Sequence, residues 1–161
     1  MVGVDASQGS LDALLWAFGE ARARRIPVHA VLACQYHPSW ADPGLGSMVP
    51  LGYRRDDGVP PNEFTDAAAS VKKLLDAAVC KATESDPDSA TDPVRITQET
   101  VVGHAAQVLL ESVSGCDMMV VGSHGHGGFV GAMLGSVSHH VVSHSRCPVV
   151  VVPAPQRAAK G

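Results

Sequence analysis

Charge is scarce in this sequence, and so are aromatic rings. Only 17% of its 161 residues are Asp, Glu, Lys or Arg, and only 4% are Phe, Trp or Tyr. A core must therefore be built from Ala, Val and Leu. The 12 basic residues are outnumbered by 16 acidic ones, a net charge of −4. The basic surplus that nucleic acid or an anionic membrane surface attracts is missing. No apolar run approaches the roughly 18 residues of a membrane helix. The opening, MVGVDASQGS, has neither a basic n-region nor an apolar signal core. Cys34, Cys80, Cys116 and Cys147 lie far apart and form no C-x-x-C pair. That spacing supports neither a zinc site nor a thioredoxin-like motif, and it is no disulfide scaffold. The expectation is a soluble cytoplasmic protein with reduced thiols and no nucleic-acid or membrane partner.

What is present alternates in period. Val2 to Asp5 reads as a short buried strand. From Ser10 to Arg25 the apolar residues Leu11, Leu14, Leu15 and Phe18 follow helical spacing, and Pro27 ends the helix. Val28 to Cys34 is a second strand. Residues 36–62, rich in Pro and Gly and without period, read as a long loop insertion. A helix from about Phe64 to Thr83 carries an apolar stripe through Val71, Leu74, Leu75 and Ala78. Val94 to Val101 alternates polar and apolar, as a half-buried strand near a sheet edge does. A helix over Ala105–Ser112, a strand over Met118–Val121, a helix from Leu134 or Ser136 to Ser145 and a strand over Val149–Val152 follow. Residues 154–161 read as a flexible tail. Strands alternating with helices predict a single α/β domain over 1–153, with a doubly wound parallel sheet and helices on both faces.

In such sheets ligands bind beyond the carboxyl ends of the strands, where strand order reverses. Two strand ends carry suggestive residues: Asp5, and the run beginning Gly122-Ser123-His124-Gly125. From Met118 to Ser145 there is no Lys, Arg, Asp or Glu. Glycine lets backbone approach a ligand, and a helix amino end adds unpaired N–H donors and partial positive charge. This is chemistry for holding phosphate with main-chain amides. The phosphate-binding G-x-x-x-x-G-K-[ST] loop is absent, since no Lys follows these glycines. The dinucleotide fingerprint fails at Val130, and the hydrolase elbow G-x-S-x-G fails at Val121. His140 and His144 stand four residues apart without an H-E-x-x-H context, and read as surface positions near a helix end. No metal site is expected.

The spacing that fits is G-x2-G-x9-G-[ST]: Gly122, Gly125, Gly135, Ser136. With VGVDAS at the start, VVGSHGHGGFVGAMLGSVSHHVV late in the chain and a closing CPVVVV, the sequence resembles the universal stress protein family, in its nucleotide-binding branch. The resemblance implies a five-stranded sheet of order 3-2-1-4-5 and bound ATP, with Mg²⁺ accompanying it. It implies Gly3 and Asp5 at the adenosine end, and backbone near Ala33 against adenine. Gly122 and Gly125 are implied at ribose and phosphate. Gly135, Ser136 and the amide of Val137 are implied at the phosphates. Ser123, His124, His126 and Gly128 complete the candidate set from the intervening loop. His124 and His126 stand where many relatives carry basic residues, and neutral His supplies less positive charge.

The same resemblance implies a homodimer through the apolar edge strand Val149–Val152. It also implies an ATP-dependent regulatory role toward a further protein partner. Two other readings compete with it. A slow ATPase or phosphoryl-transfer enzyme is disfavoured by the missing Walker Lys and the missing loop arginine. A nucleotide-free dimeric scaffold would be indifferent to ATP. No catalytic residue is expected.

Overall fold

The computed structural model describes residues 1–34, 61–113, 115, 118–125 and 134–153, with only the backbone course for 61–67. Of the insertion expected over 36–62, residues 36–60 lie outside the described residues, as does the tail over 154–161, while Pro61 and Asn62 belong to a helix rather than to a loop. The elements run β1 (Val2–Gly3), α1 (Gln8–Arg24), β2 (Val28–Cys34), α2 (Pro61–Ser85), β3 (Ile96–Val102), α3 (Ala105–Ser112), β4 (Met119–Gly122), α4 (Ser136–His144) and β5 (Val149–Val152). All five strands are parallel, in the order β3-β2-β1-β4-β5. The parallel sheet is the one the alternating pattern predicts, and its order is the one the family resemblance implies.

β1 is shorter than the Val2–Asp5 expectation, and the reason is local. Val4 still donates its N–H to Val31 O at 2.8 Å, so the ladder outlasts the strand. The chain then turns at Ala6, whose φ of 62° is left-handed. Asp5 Oδ1 accepts from both Ser7 N (2.9 Å) and Ser7 Oγ (2.5 Å). Ser7 in turn caps α1, accepting from Ser10 N at 3.3 Å. This cap starts the helix at Gln8, two residues before the periodicity alone suggests. α2 likewise begins early, at Pro61, a residue whose missing N–H suits a first helical position.

Two apolar layers hold the sheet. Leu14 and Phe18 of α1 and Leu75 of α2 pack with Val2, Ala30 and Val120 on one face. Leu109 of α3 and Val141 of α4 pack with Val31, Met119 and Val121 on the other. Val2, Val31, Met119 and Val120 are almost wholly buried, so the central strands are covered on both sides, as parallel sheets require. β3 is an edge strand, and its middle residues Thr97 to Thr100 are exposed.

One ion pair ties α1 to the α2–β3 connection. Arg22 Nη1 donates to Asp86 Oδ1 at 3.1 Å, Nη2 to Asp86 Oδ2, and Nε to Asp92 O at 2.6 Å. Asp86 is buried. The Arg22 guanidinium holds its carboxyl below the usual carboxylate range, and Asp86 in return raises Arg22. Arg25 ends α1 in the left-handed conformation, with its N–H on Ala21 O and Arg22 O.

Candidate functional site

β1 lies between β2 and β4. The chain leaves β1 toward β2 on one side and later places β4 on the other. Strand order therefore reverses between β1 and β4, and a crevice opens beyond their carboxyl ends. A cleft of about 380 Å³ occupies this place. Helices run back against parallel strands, so their amino ends gather here. Ser10 of α1, Ala105 of α3 and Ser136 of α4 all line the wall.

The structure brings nine of the twelve candidate residues to that wall. Gly3 and Asp5 come from β1 and its exit, Ala33 from β2, Gly122, His124 and Gly125 from the end of β4, and Gly135, Ser136 and Val137 from the start of α4. His126 and Gly128 lie outside the described residues. Ser123 is not at the wall. It is 8% exposed, and its Oγ lies 3.0 Å from His124 Nδ1, where it steadies that ring. A buried hydroxyl set off the cleft is not placed as a nucleophile.

The motif glycines are glycines for different reasons. A Cβ on Gly122 would stand 2.7 Å from the carbonyl carbon and oxygen of Gly9. Its missing side chain lets α1 approach β4. At Gly125 a Cβ would run into Asp5 Oδ2. At Gly135 a Cβ would meet nothing closer than Ser123 O at 3.4 Å, an ordinary contact. Of the three, Gly135 has the weakest packing reason to be glycine, and it stands where the cleft meets α4.

Hydrogen bonds fix the amino end of α4 against β4. Gly135 N donates to Ser123 O at 2.8 Å, and Ser138 Oγ donates to Gly122 O at 2.6 Å. Ser138 is 5% exposed and lines the cleft. Gly135 caps α4 without a side-chain bond, and no acid occupies the first turn. His104 likewise gives α3 no side-chain cap. The amides at these helix starts carry partial positive charge toward the cleft. Asp5 is the one carboxylate among the described lining residues, which include no Lys or Arg. The arrangement suits an anion held by main-chain donors and a hydroxyl-bearing group beside Asp5.

Residues 1–153 match the universal stress protein family. The chain belongs to that family. The universal stress protein Rv1996 of Mycobacterium tuberculosis is 34% identical to it over 159 residues, 99% of this chain and 45% of that protein. The chain spans about half the length of the curated universal stress proteins it matches. Among solved structures it is similar to a universal stress protein in complex with cAMP, at a TM-score of 0.53 and 22% identity over 94% of this chain and 93% of that one. It is also similar to the universal stress protein of Archaeoglobus fulgidus in complex with dAMP, at a TM-score of 0.56 and 17% identity over 94% of each chain. These likenesses establish the universal stress protein fold.

Sequence reasoning missed several wall residues, among them Ser10, Val31, Ala105, Leu109, Val121 and Ser138. Leu109 and Val121 carry only a core signal in sequence. Ser10 and Ala105 reach the cleft because their helices begin there, and helix-start position is the signal that could have found them. Among the described residues, no group of three or more His, Cys, Asp or Glu side chains is placed to hold a metal ion, and no helix is long and apolar enough to cross a membrane.

Proposed function

We propose that this universal stress protein is an ATP-binding regulatory module that works as a homodimer in the cytoplasm. One observation carries the reading. The amino end of α4 opens onto the switch-point cleft with Gly135, Ser136 and Val137 at its wall and no side-chain cap. The Ser136 and Val137 amides would take the phosphates, with Gly135, whose own N–H is held by Ser123 O, leaving room for their approach. Asp5 would accept hydroxyl donors of ribose, and the backbone at Ala33 would meet the base. Mg²⁺ accompanying ATP would draw its ligands mainly from phosphate oxygens and water, as this ion commonly does. The AMP-type ligands of the structural neighbours, cAMP and dAMP, support an adenine nucleotide in this chain.

Occupancy of the cleft would favour one arrangement of the surface around it, which a protein partner could then read. The dimer would form through β5, whose four valines are all half-buried in the single chain and which ends the sheet. Cys34, Cys80 and Cys147 are free thiols, the state that the cytoplasm preserves.

The deciding experiment is nucleotide release. Protein purified without added nucleotide is denatured, and the released small molecules are identified by mass spectrometry against protein concentration. ATP or ADP near one per chain supports the reading, and the ratio of the two reports any turnover. An empty protein that also gains no thermal stability from Mg·ATP overturns it and favours a nucleotide-free scaffold.

A further inference from the structure

The exposed surface of α4 carries His140 and His144, one helical turn apart. Their rings stack with centroids 4.3 Å apart and planes 22° from parallel. His144 Nδ1 lies 2.9 Å from the carbonyl oxygen of His140. A carbonyl only accepts, so Nδ1 carries the proton and donates it. The neutral ring then keeps its lone pair on Nε2. The same device stands behind metal-bound histidines, where one ring nitrogen donates to a backbone carbonyl and leaves the other oriented as the ligand.

We propose that His140 and His144 form a two-histidine chelate for a borderline divalent metal of the Zn²⁺, Cu²⁺ and Ni²⁺ class. Imidazole suits these ions, whereas Mg²⁺ and Ca²⁺ take oxygen ligands. Residues four apart share one helix face, and paired histidines at this spacing bind Zn²⁺ in metalloprotease helices. Metal–nitrogen bonds of about 2.0–2.1 Å put two nitrogens on a tetrahedral ion roughly 3.4 Å apart. Stacked rings aim their in-plane lone pairs nearly parallel, so chelation requires the exposed His140 side chain to turn out of the stack until both nitrogens face one ion. The pair also sits toward the carboxyl end of α4, where the helix dipole favours a cation. No third His, Cys, Asp or Glu joins it among the described residues, so the remaining positions on the metal belong to water. The site is independent of the nucleotide reading, because α4 lines the cleft with residues 136–138 only.

The test uses the untagged full chain and Zn²⁺ alone. Zn²⁺ binding is followed by calorimetry and by the imidazole NMR signals. The expected result is one saturable site per chain, with the His140 and His144 signals shifting together. His140→Ala or His144→Ala should each weaken binding by at least about tenfold, since either removes the chelate. His139→Ala, an exposed neighbour outside the pair, should change it less than about twofold. Thermal midpoints of all three variants should match the unsubstituted protein without metal. Unaltered Zn²⁺ binding in the His140→Ala/His144→Ala double variant overturns the proposal. So does the absence of saturable binding, or a loss in His139→Ala as large as that in the paired positions.

Discussion

Gly122 and Gly9 meet backbone to backbone: a Cβ on Gly122 would stand 2.7 Å from Gly9's carbonyl carbon, and a Cβ on Gly9 would stand 2.5 Å from His124 O. The first motif glycine is thus required by the packing of α1 on the end of β4, before any ligand is considered. Gly122→Ala should destabilise the protein by about 1–3 kcal/mol, the usual range for an overpacked site. Gly135→Ala, with its nearest contact at 3.4 Å, should cost no more than about 1 kcal/mol, the scale of a helix N-cap change. Chemical unfolding of the two variants separates them. Equal losses would mean that the two glycines do the same job.

Gly125 tests the ligand rather than the fold. Its φ is not among the positive ones, so the backbone accepts a side chain there. The atom in the way is Asp5 Oδ2, so the Asp5 carboxylate must turn, at the expense of its bonds to Ser7, to admit the new side chain. Gly125→Glu adds a second carboxylate beside Asp5 and fills the cleft wall. Under the ATP reading, affinity measured by calorimetry should fall at least about tenfold, a change of about 1.4 kcal/mol, while the far-UV circular dichroism stays that of the parent. Undiminished ATP affinity in this variant would remove the loop at the end of β4 from the nucleotide site.

Acid should find the Arg22–Asp86 pair. The folded-state pKa of Asp86 is lowered from its ordinary 3.8, chiefly by the hydrogen bond from Arg22. A carboxyl depressed in the folded state contributes stability above its unfolded pKa and loses that contribution as pH falls through the folded one. The protein should therefore lose stability as pH drops below about 4. Asp86→Asn should be less stable near pH 7 by about 1–3 kcal/mol and should show a flatter acid limb. Parallel stability curves for the two proteins from pH 5 to pH 2 would show that the pair contributes nothing to this dependence.

β5 carries the proposed dimer. Val150→Lys places a charge on a strand that would pair with its symmetry mate. Light scattering should show the molar mass fall from that of two chains to one, with thermal unfolding confirming that the variant is folded. A folded variant of unchanged mass would sink the β5 interface. A parent protein that is already monomeric would sink the dimer itself.

Much of this architecture is legible in the sequence because each device is local. The 3–4 spacing of Leu11, Leu14, Leu15 and Phe18 marks α1, and Val149–Val152 marks β5. The alternation around Ile96 marks an edge strand. The boundaries that differ depend on contacts between neighbours. α1 starts at Gln8 because Asp5 braces Ser7 and Ser7 caps the helix. β1 stops early because Ala6 turns left-handed. Within the cleft, the glycines and Asp5 can be picked from spacing and strand ends. The role of Gly122 cannot, since its partner Gly9 lies in another element. Ser138 hides for the same reason: its bond to Gly122 O joins α4 to a strand sixteen residues earlier. The burial of Ser123 away from the wall is likewise a tertiary fact.

The donors at the start of α4 are main-chain atoms held in place by Gly135 N on Ser123 O and by Ser138 Oγ on Gly122 O. Truncating a side chain removes no backbone amide. Under the ATP reading, a conventional alanine scan would therefore pass over most of the proposed phosphate-binding surface, recording Ser136 and Val137 as dispensable. Under the same reading, the ionic-strength dependence of binding at this helix start should be shallow because dipoles rather than formal charges do the attracting.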